Sequence, residues 1–123
     1  MNDKKKRLLV VDDDASILRG FKRILQEEGY DVETAETGHE ALKKIRKKKF
    51  DVCLVDVRLP DMDGTELLLE LAETPETFKI IITGFSSEQA GKKAADYGAD
   101  EFLVKPVSAE ELLAAVKDKS QPI

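Results

Sequence analysis

The chain has 123 residues, 41% hydrophobic and 37% charged, with a formal net charge of −5 at neutral pH. This is the length of one domain, able to bury about two-thirds of its unfolded surface, and the acidic balance disfavours general nucleic-acid binding because nothing offsets phosphate repulsion. One cysteine (Cys53) excludes an internal disulfide, one histidine (His39) excludes a two-histidine metal site, and no apolar run approaches the roughly 18 residues of a membrane-spanning helix. The expectation is a single soluble, cytoplasmic domain over 1–123, its core spanning about 6–118.

Leu8-Leu9-Val10-Val11 is too short for a signal peptide and reads as a buried strand that stops at Asp12, Asp13 and Asp14. Residues 15–28 carry Ile17, Phe21, Ile24 and Leu25 at helical spacing, and Gly29 is a natural stop. Tyr30–Thr34 alternates as a half-exposed edge strand does. Thr37-Gly38-His39-Glu40 fits a capping box ahead of Ala41, Leu42 and Ile45. Asp51–Asp56 is a buried strand bracketed by carboxylates, and Asp63-Gly64-Thr65-Glu66 opens a helix with Leu67, Leu68 and Leu71 inward. Phe78–Ile82 is a strand ending at Thr83. Ser86–Gln89 opens a helix over 87–97, closed by Gly98. Its inward residues are mainly Ala90, Ala94 and Ala95, with Gly91 among them, so it buries less than the other helices. Glu101–Val104 is the fifth strand, ending at Lys105-Pro106, and Ser108–Glu111 caps a last helix with Leu112, Leu113 and Val116 inside.

Strands alternating with helices predict an α/β fold: a five-stranded parallel sheet with five helices on its two faces. For such a flavodoxin-like (βα)5 chain the common strand order is 2-1-3-4-5, which leaves the alternating second strand at an edge. Functional groups then gather at the carboxyl ends of the strands. Asp12, Asp13 and Asp14 follow the first strand, Asp56 ends the third, Thr83 the fourth and Lys105 the fifth. Two carboxylates about 4 Å apart repel by roughly 4 kcal/mol at an effective dielectric of 20, so a cluster of them raises pKa values or recruits a cation. Oxygen donors without imidazole or thiolate favour Mg²⁺, with Mn²⁺ as the alternative. Positive charge and a hydroxyl around a spare carboxylate make a phosphoryl-transfer site in which that carboxylate is the nucleophile.

Leu8-Leu-Val-Val-Asp-Asp13, Val55-Asp56-x-x-Leu59-Pro-Asp-Met-Asp-Gly64, Ile81-Ile-Thr-Gly84 and Gly98-Ala-Asp-Glu-Phe-Leu-Val-Lys-Pro106, taken together and in this order, resemble the receiver domains of two-component response regulators. The resemblance implies that Asp56 takes a phosphoryl group from a phosphohistidine on a sensor kinase or from a small phosphodonor. It implies that Asp13, Asp56 and the Arg58 backbone carbonyl ligate Mg²⁺, that Asp12 acts through metal-bound water, and that Lys105 pairs with the acids and later with the phosphoryl group. The Lys105–Pro106 peptide would be cis. Thr83 would turn inward to the phosphoryl oxygen and Phe102 would swing in behind it. The surface made by the helix over 87–97, the strand over 101–104 and the last helix would then bind an output partner or domain, the chain being a monomer or a weak phosphorylation-dependent dimer. Such a module catalyses only its own phosphorylation and dephosphorylation. Arg58 and Phe85 depart from smaller or more polar residues usual in relatives, which implies altered hydrolysis of the acyl phosphate.

Other readings compete. Asp14 leaves open whether the acid pair is 12/13 or 13/14; the strand end at Val11 favours the former. Asp12-Asp-Asp14 also loosely resembles the nucleophile motif of haloacid-dehalogenase-type phosphatases, a reading that leaves Asp56 unexplained. A third reading is an interaction module without phosphorylation. Asp61 and Asp63 read as turn and cap residues, His39 as a surface residue of a first helical turn, Cys53 as a small apolar core residue, and Lys43–Lys49 as the solvated face of a helix rather than a nucleic-acid patch.

Overall fold

In a computed structural model, residues 5–72, 74, 76–84, 92 and 95–120 are described. Five strands and four helices occur there, in the order β1 (Arg7–Val11), α1 (Ala15–Glu27), β2 (Asp31–Ala35), α2 (Gly38–Lys47), β3 (Val52–Asp56), α3 (Thr65–Leu71), β4 (Phe78–Thr83), β5 (Glu101–Val104) and α4 (Ala109–Ser120). The sheet order is β2-β1-β3-β4-β5 and every pairing is parallel, as expected. Four helices rather than five stand among the described residues, because the helix expected over 87–97, its cap at Ser86–Gln89 and Phe85 lie mostly or wholly outside them.

The apolar runs of β1 and β3 are buried because both faces of the sheet are covered. Leu8, Val10, Leu54, Ile80 and Ile82 pack with Leu18 and Leu25 of α1 and Leu112 and Val116 of α4. Leu9, Val11, Cys53, Val55 and Ile81 point the other way, against Ala41 of α2 and Leu67, Leu68 and Leu71 of α3. This is the two-residue alternation of a strand written into two cores. Cys53 lies in the middle of the second core, in register with Leu9 and Lys79, and burial pushes its thiol up to about 12. Lys79 is the one charged residue among the apolar residues of β4. It is 7% exposed, its Nζ donates to the Thr77 carbonyl at 3.0 Å and its backbone N–H to Asp100 Oδ2 at 2.9 Å.

The helix ends follow local chemistry. Asp14 Oδ1 accepts from Ser16 and Ile17 N–H at 2.9 and 3.3 Å, which makes Asp14 the cap of α1. Gly29 closes α1 with φ +97°, a conformation open to glycine. Ser108 and Glu111 form a complete capping box, each side chain accepting the other's N–H at 3.0 Å. At α2 only half of the expected box forms. Thr37 Oγ1 accepts from Glu40 N–H, whereas the Glu40 carboxylate turns to the Glu36 N–H. The cations of α2 and the residues after it mostly engage neighbours: Arg46 with Glu70 at 2.7 Å, Lys44 with the Thr34 carbonyl at 2.7 Å, and Lys48 with Glu33.

Leu54 is fully buried in the centre of the sheet. Leu54→Ala is expected to cost about 3 kcal/mol and to lower Tm by about 10 °C, read by thermal denaturation of the two proteins at one pH.

Candidate functional site

The sheet brings four strand ends to one edge, and backbone bonds extend the ladder just past the strands. Asp12 N–H donates to the Ala35 carbonyl at 3.1 Å, Val57 N–H to Ile82 at 3.3 Å and Lys105 N–H to Thr83 at 2.8 Å. Residues at or next to these fixed points converge. Lys105 Nζ lies 2.8 Å from Asp12 Oδ2 and 2.9 Å from Asp56 Oδ2. The remaining oxygens of the two acids accept backbone N–H groups, Asp12 Oδ1 from Asp14 at 2.9 Å and Asp56 Oδ1 from Arg58 at 3.1 Å. Asp12, Asp56 and Thr83 are 3%, 6% and 2% exposed, whereas Asp13 faces solvent.

Among the described residues, Asp12, Asp13 and Asp56 form one acidic cluster, with an oxygen of each within 4.8 Å of the others. Since Asp14 caps α1, the acid pair after β1 is 12/13 rather than 13/14. Three carboxylates face one ammonium, so the cluster keeps an excess of negative charge. Its donors are all oxygens, which suits a hard divalent cation and nothing softer.

Burial pushes the Asp56 carboxyl up and the neighbouring Asp12 charge adds to this; the hydrogen bonds from Lys105 and Arg58 offset it only in part. Burial acts on Lys105 in the opposite sense, but its bonds to Asp12 and Asp56 outweigh that and raise its pKa. Gly64 N–H donates to the Val57 carbonyl at 2.6 Å, and a Cβ on Gly64 would sit 1.9 Å from the Asp56 carbonyl oxygen. Only glycine can pass the backbone of Asp56 this closely.

The other expected site residues fall nearby. Thr83 ends β4, paired in register with Val104. Phe102 lies opposite Ile81 in β5 and packs, half-buried, against the second core. The Lys105–Pro106 peptide is cis, as the resemblance implied. A mainly apolar groove of about 480 Å³, lined by Ile17, Phe21, Gly84, Pro106 and Val107, opens beside Lys105. Neither the close approach of Gly64 nor this groove was anticipated from the sequence. The Asp-Gly pair at 63–64 signals a turn but not what it passes, and the groove joins residues about 90 positions apart.

A family model for the response regulator receiver domain matches residues 8–117. The chain belongs to that family. It is 40% identical over 113 residues to the alkaline phosphatase synthesis transcriptional regulatory protein PhoP of Bacillus subtilis, an alignment covering 91% of this chain and 47% of PhoP. The chain spans about half or less of the length of the curated relatives it matches. Among solved structures, a CheY-like receiver domain protein of Methanospirillum hungatei superposes with a TM-score of 0.92 at 43% identity, covering 95% of this chain and 94% of that one. A response regulator of Burkholderia pseudomallei, solved with a phosphorylated aspartic acid, a calcium ion and citrate, superposes with a TM-score of 0.87 at 32% identity, over 94% of this chain and 69% of that one. Receiver domains are signalling modules rather than metabolic enzymes. No helix among the described residues of this one is long and apolar enough to cross a membrane.

Lys105→Met leaves two buried carboxylates without their shared cation. Allowing for the lysine's partial exposure, the loss is about 2 kcal/mol, or about 5–10 °C in Tm, at neutral pH. The raised pKa of Asp56 means that its ionisation opposes folding, so this cost is present at pH values above its titration and absent below it. Lys105 contributes its stability up to alkaline pH and loses it only as pH rises through its own raised pKa. The Tm deficit of Lys105→Met should therefore shrink as pH falls towards about 4. A deficit that stays constant with pH would show that only packing was lost.

Proposed function

We propose that this receiver domain is the phosphoacceptor of a two-component system, with Asp56 as the residue phosphorylated. The observation that carries the reading is Asp56 itself: a carboxylate 6% exposed at the end of a central strand, held between Lys105 Nζ and the Arg58 N–H. A desolvated carboxylate of raised pKa is more basic, and so a better nucleophile, than one in water. An Asp56 oxygen attacks the phosphorus of a phosphohistidine. The P–N bond breaks, its electron pair returns to the imidazole nitrogen, which takes up a proton, and an acyl phosphate forms. Lys105, already within reach of that oxygen, then pairs with the new phosphoryl charge, and the Thr83 hydroxyl donates to a phosphoryl oxygen.

Mg²⁺ fits the acidic cluster. Asp13, Asp56 and the Arg58 carbonyl would hold it, with Asp12 acting through bound water, and when bound it supplies charge neutralisation for carboxylates and phosphoryl oxygens alike. Asp12 is otherwise the acid that retains Lys105 when Asp56 is modified. A sensor kinase or histidine phosphotransfer domain is the donor, and the apolar groove beside Lys105 is where its phosphohistidine-bearing surface would seat. The relatives' naming as transcriptional regulators supports an output domain or partner under control of the surface around β5 and α4, with Phe102 and Thr83 moving together. Arg58, two residues after Asp56, stands where it can alter access of water to the acyl phosphate. The phosphatase reading leaves Asp56 without a role, although Lys105 Nζ reaches Asp56 and Asp12 alike.

The deciding experiment is intact-protein mass after incubation with acetyl phosphate, with and without Mg²⁺. Wild type should gain one phosphoryl mass only with Mg²⁺, and Asp56→Asn should gain none. A gain retained in Asp56→Asn would transfer the nucleophile's role to another acid.

A further inference from the structure

The segment between β3 and α3 folds back as a finger. Arg58 and Asp63 form an antiparallel bridge, and Leu59 N–H donates to the Met62 carbonyl at 3.3 Å. The base of the finger stands on Asp56, through the Arg58 N–H and the close passage of Gly64. Its tip is fixed elsewhere. Asp61 Oδ1 accepts from Gly38 N–H at 2.8 Å and Asp61 Oδ2 from His39 N–H at 2.9 Å, while His39 Nδ1 also meets Oδ2. Met62 fills the space beside Gly38, where a Cβ would lie 2.4 Å from Met62 Cγ and Sδ. One carboxylate thus engages the first two N–H groups of α2, which have no partner within the helix. The bond from Gly38, then that from His39, hold Asp61 ionised down to about 2.

We infer that Asp61 and Met62 are positioning residues, which tie the finger's tip to the N-terminus of α2 and so hold the Arg58 backbone in place beside Asp56 for a divalent cation. This rests on the proposed phosphoacceptor reading of the acidic cluster. A finger fixed only at its base is free to pivot about the Arg58–Asp63 bridge. Anchoring the tip removes that freedom before a ligand arrives, so binding need not supply the ordering. The three bonds to Asp61 are unequal. Two come from backbone donors on a regular helix to a charged acceptor, whereas the third comes from an exposed ring. The geometry therefore assigns Asp61 a large effect and His39 a small one.

The test is calorimetric titration of Mg²⁺ into wild type, Asp61→Ala, Asp61→Asn and His39→Ala, with Tm recorded for each. Asp61→Ala should weaken Mg²⁺ binding roughly tenfold, the lower end of an outer-sphere loss. Asp61→Asn, which keeps one acceptor, should weaken it about twofold to threefold, and His39→Ala less than twofold. Asp61→Asn decides the matter if Asp61→Ala does not fold. Leu25→Ala, which destabilises the protein far from the finger, should leave the affinity unchanged. Wild-type affinity in both Asp61 variants, or an equal loss in Leu25→Ala, overturns the proposal, as does a wild type that binds no Mg²⁺. An affinity loss in Asp61→Ala, in a protein whose wild type takes no phosphoryl group from acetyl phosphate, upholds the finger's role and sinks only the phosphoacceptor reading.

Discussion

Two buried carboxylates share one ammonium, and the carboxyl edge of the sheet is organised by that sharing. Asp12 and Asp56 each give one oxygen to Lys105 Nζ, at 2.8 and 2.9 Å, and the other to a backbone N–H two residues ahead. Neither acid could be buried alone at acceptable cost. The lysine makes the pair tolerable without cancelling its charge, since Asp13 adds a third carboxylate at the rim. The result is a set of acids stable enough to fold and still short of positive charge. That shortage of positive charge is the physical reason such an edge attracts a divalent cation.

The frame that holds this arrangement is unevenly buried. Every residue of β3 is buried, and β1 is buried from Leu8 onward, while no residue of β5 is buried and Val104 is 40% exposed. Asp12 and Asp56 are thus mounted on the part of the sheet with the most apolar contact. Lys105 and Phe102 are mounted on the part with the least. The β5 side is therefore the part of the sheet that shifts at the lowest packing cost, whereas the strands that carry the acids are the most firmly packed.

Much of this was legible in the residues. Leu8–Val11 and Val52–Val55 are aliphatic enough to be central parallel strands, and Tyr30–Thr34 alternates as an edge strand should; strand order and the convergence of Asp12, Asp56, Thr83 and Lys105 follow from these. What was not legible depends on partners distant in sequence or on choices between equal local options. Asp14 could have been a ligand or a cap, and only the bonds to Ser16 and Ile17 decide it. Asp61 read as a turn residue of its own loop, yet it caps a helix that begins 23 positions earlier. Glu40 fits a capping box with Thr37 but bonds Glu36 instead. Lys79 was hidden because an aliphatic run admits a lysine when its alkyl stem packs and its ammonium finds a carbonyl.

Cys53 carries a consequence separate from signalling. It is the chain's one thiol, lies at 0% exposure between Leu9 and Lys79, and is pushed up to about 12 by burial. Only the thiolate attacks an alkylating reagent, and in the native sheet this sulfur is both unreachable and uncharged. Alkylation at position 53 therefore measures how often the middle of the sheet opens. The chain contains its own clock for that event, set into the strand that bears Asp56.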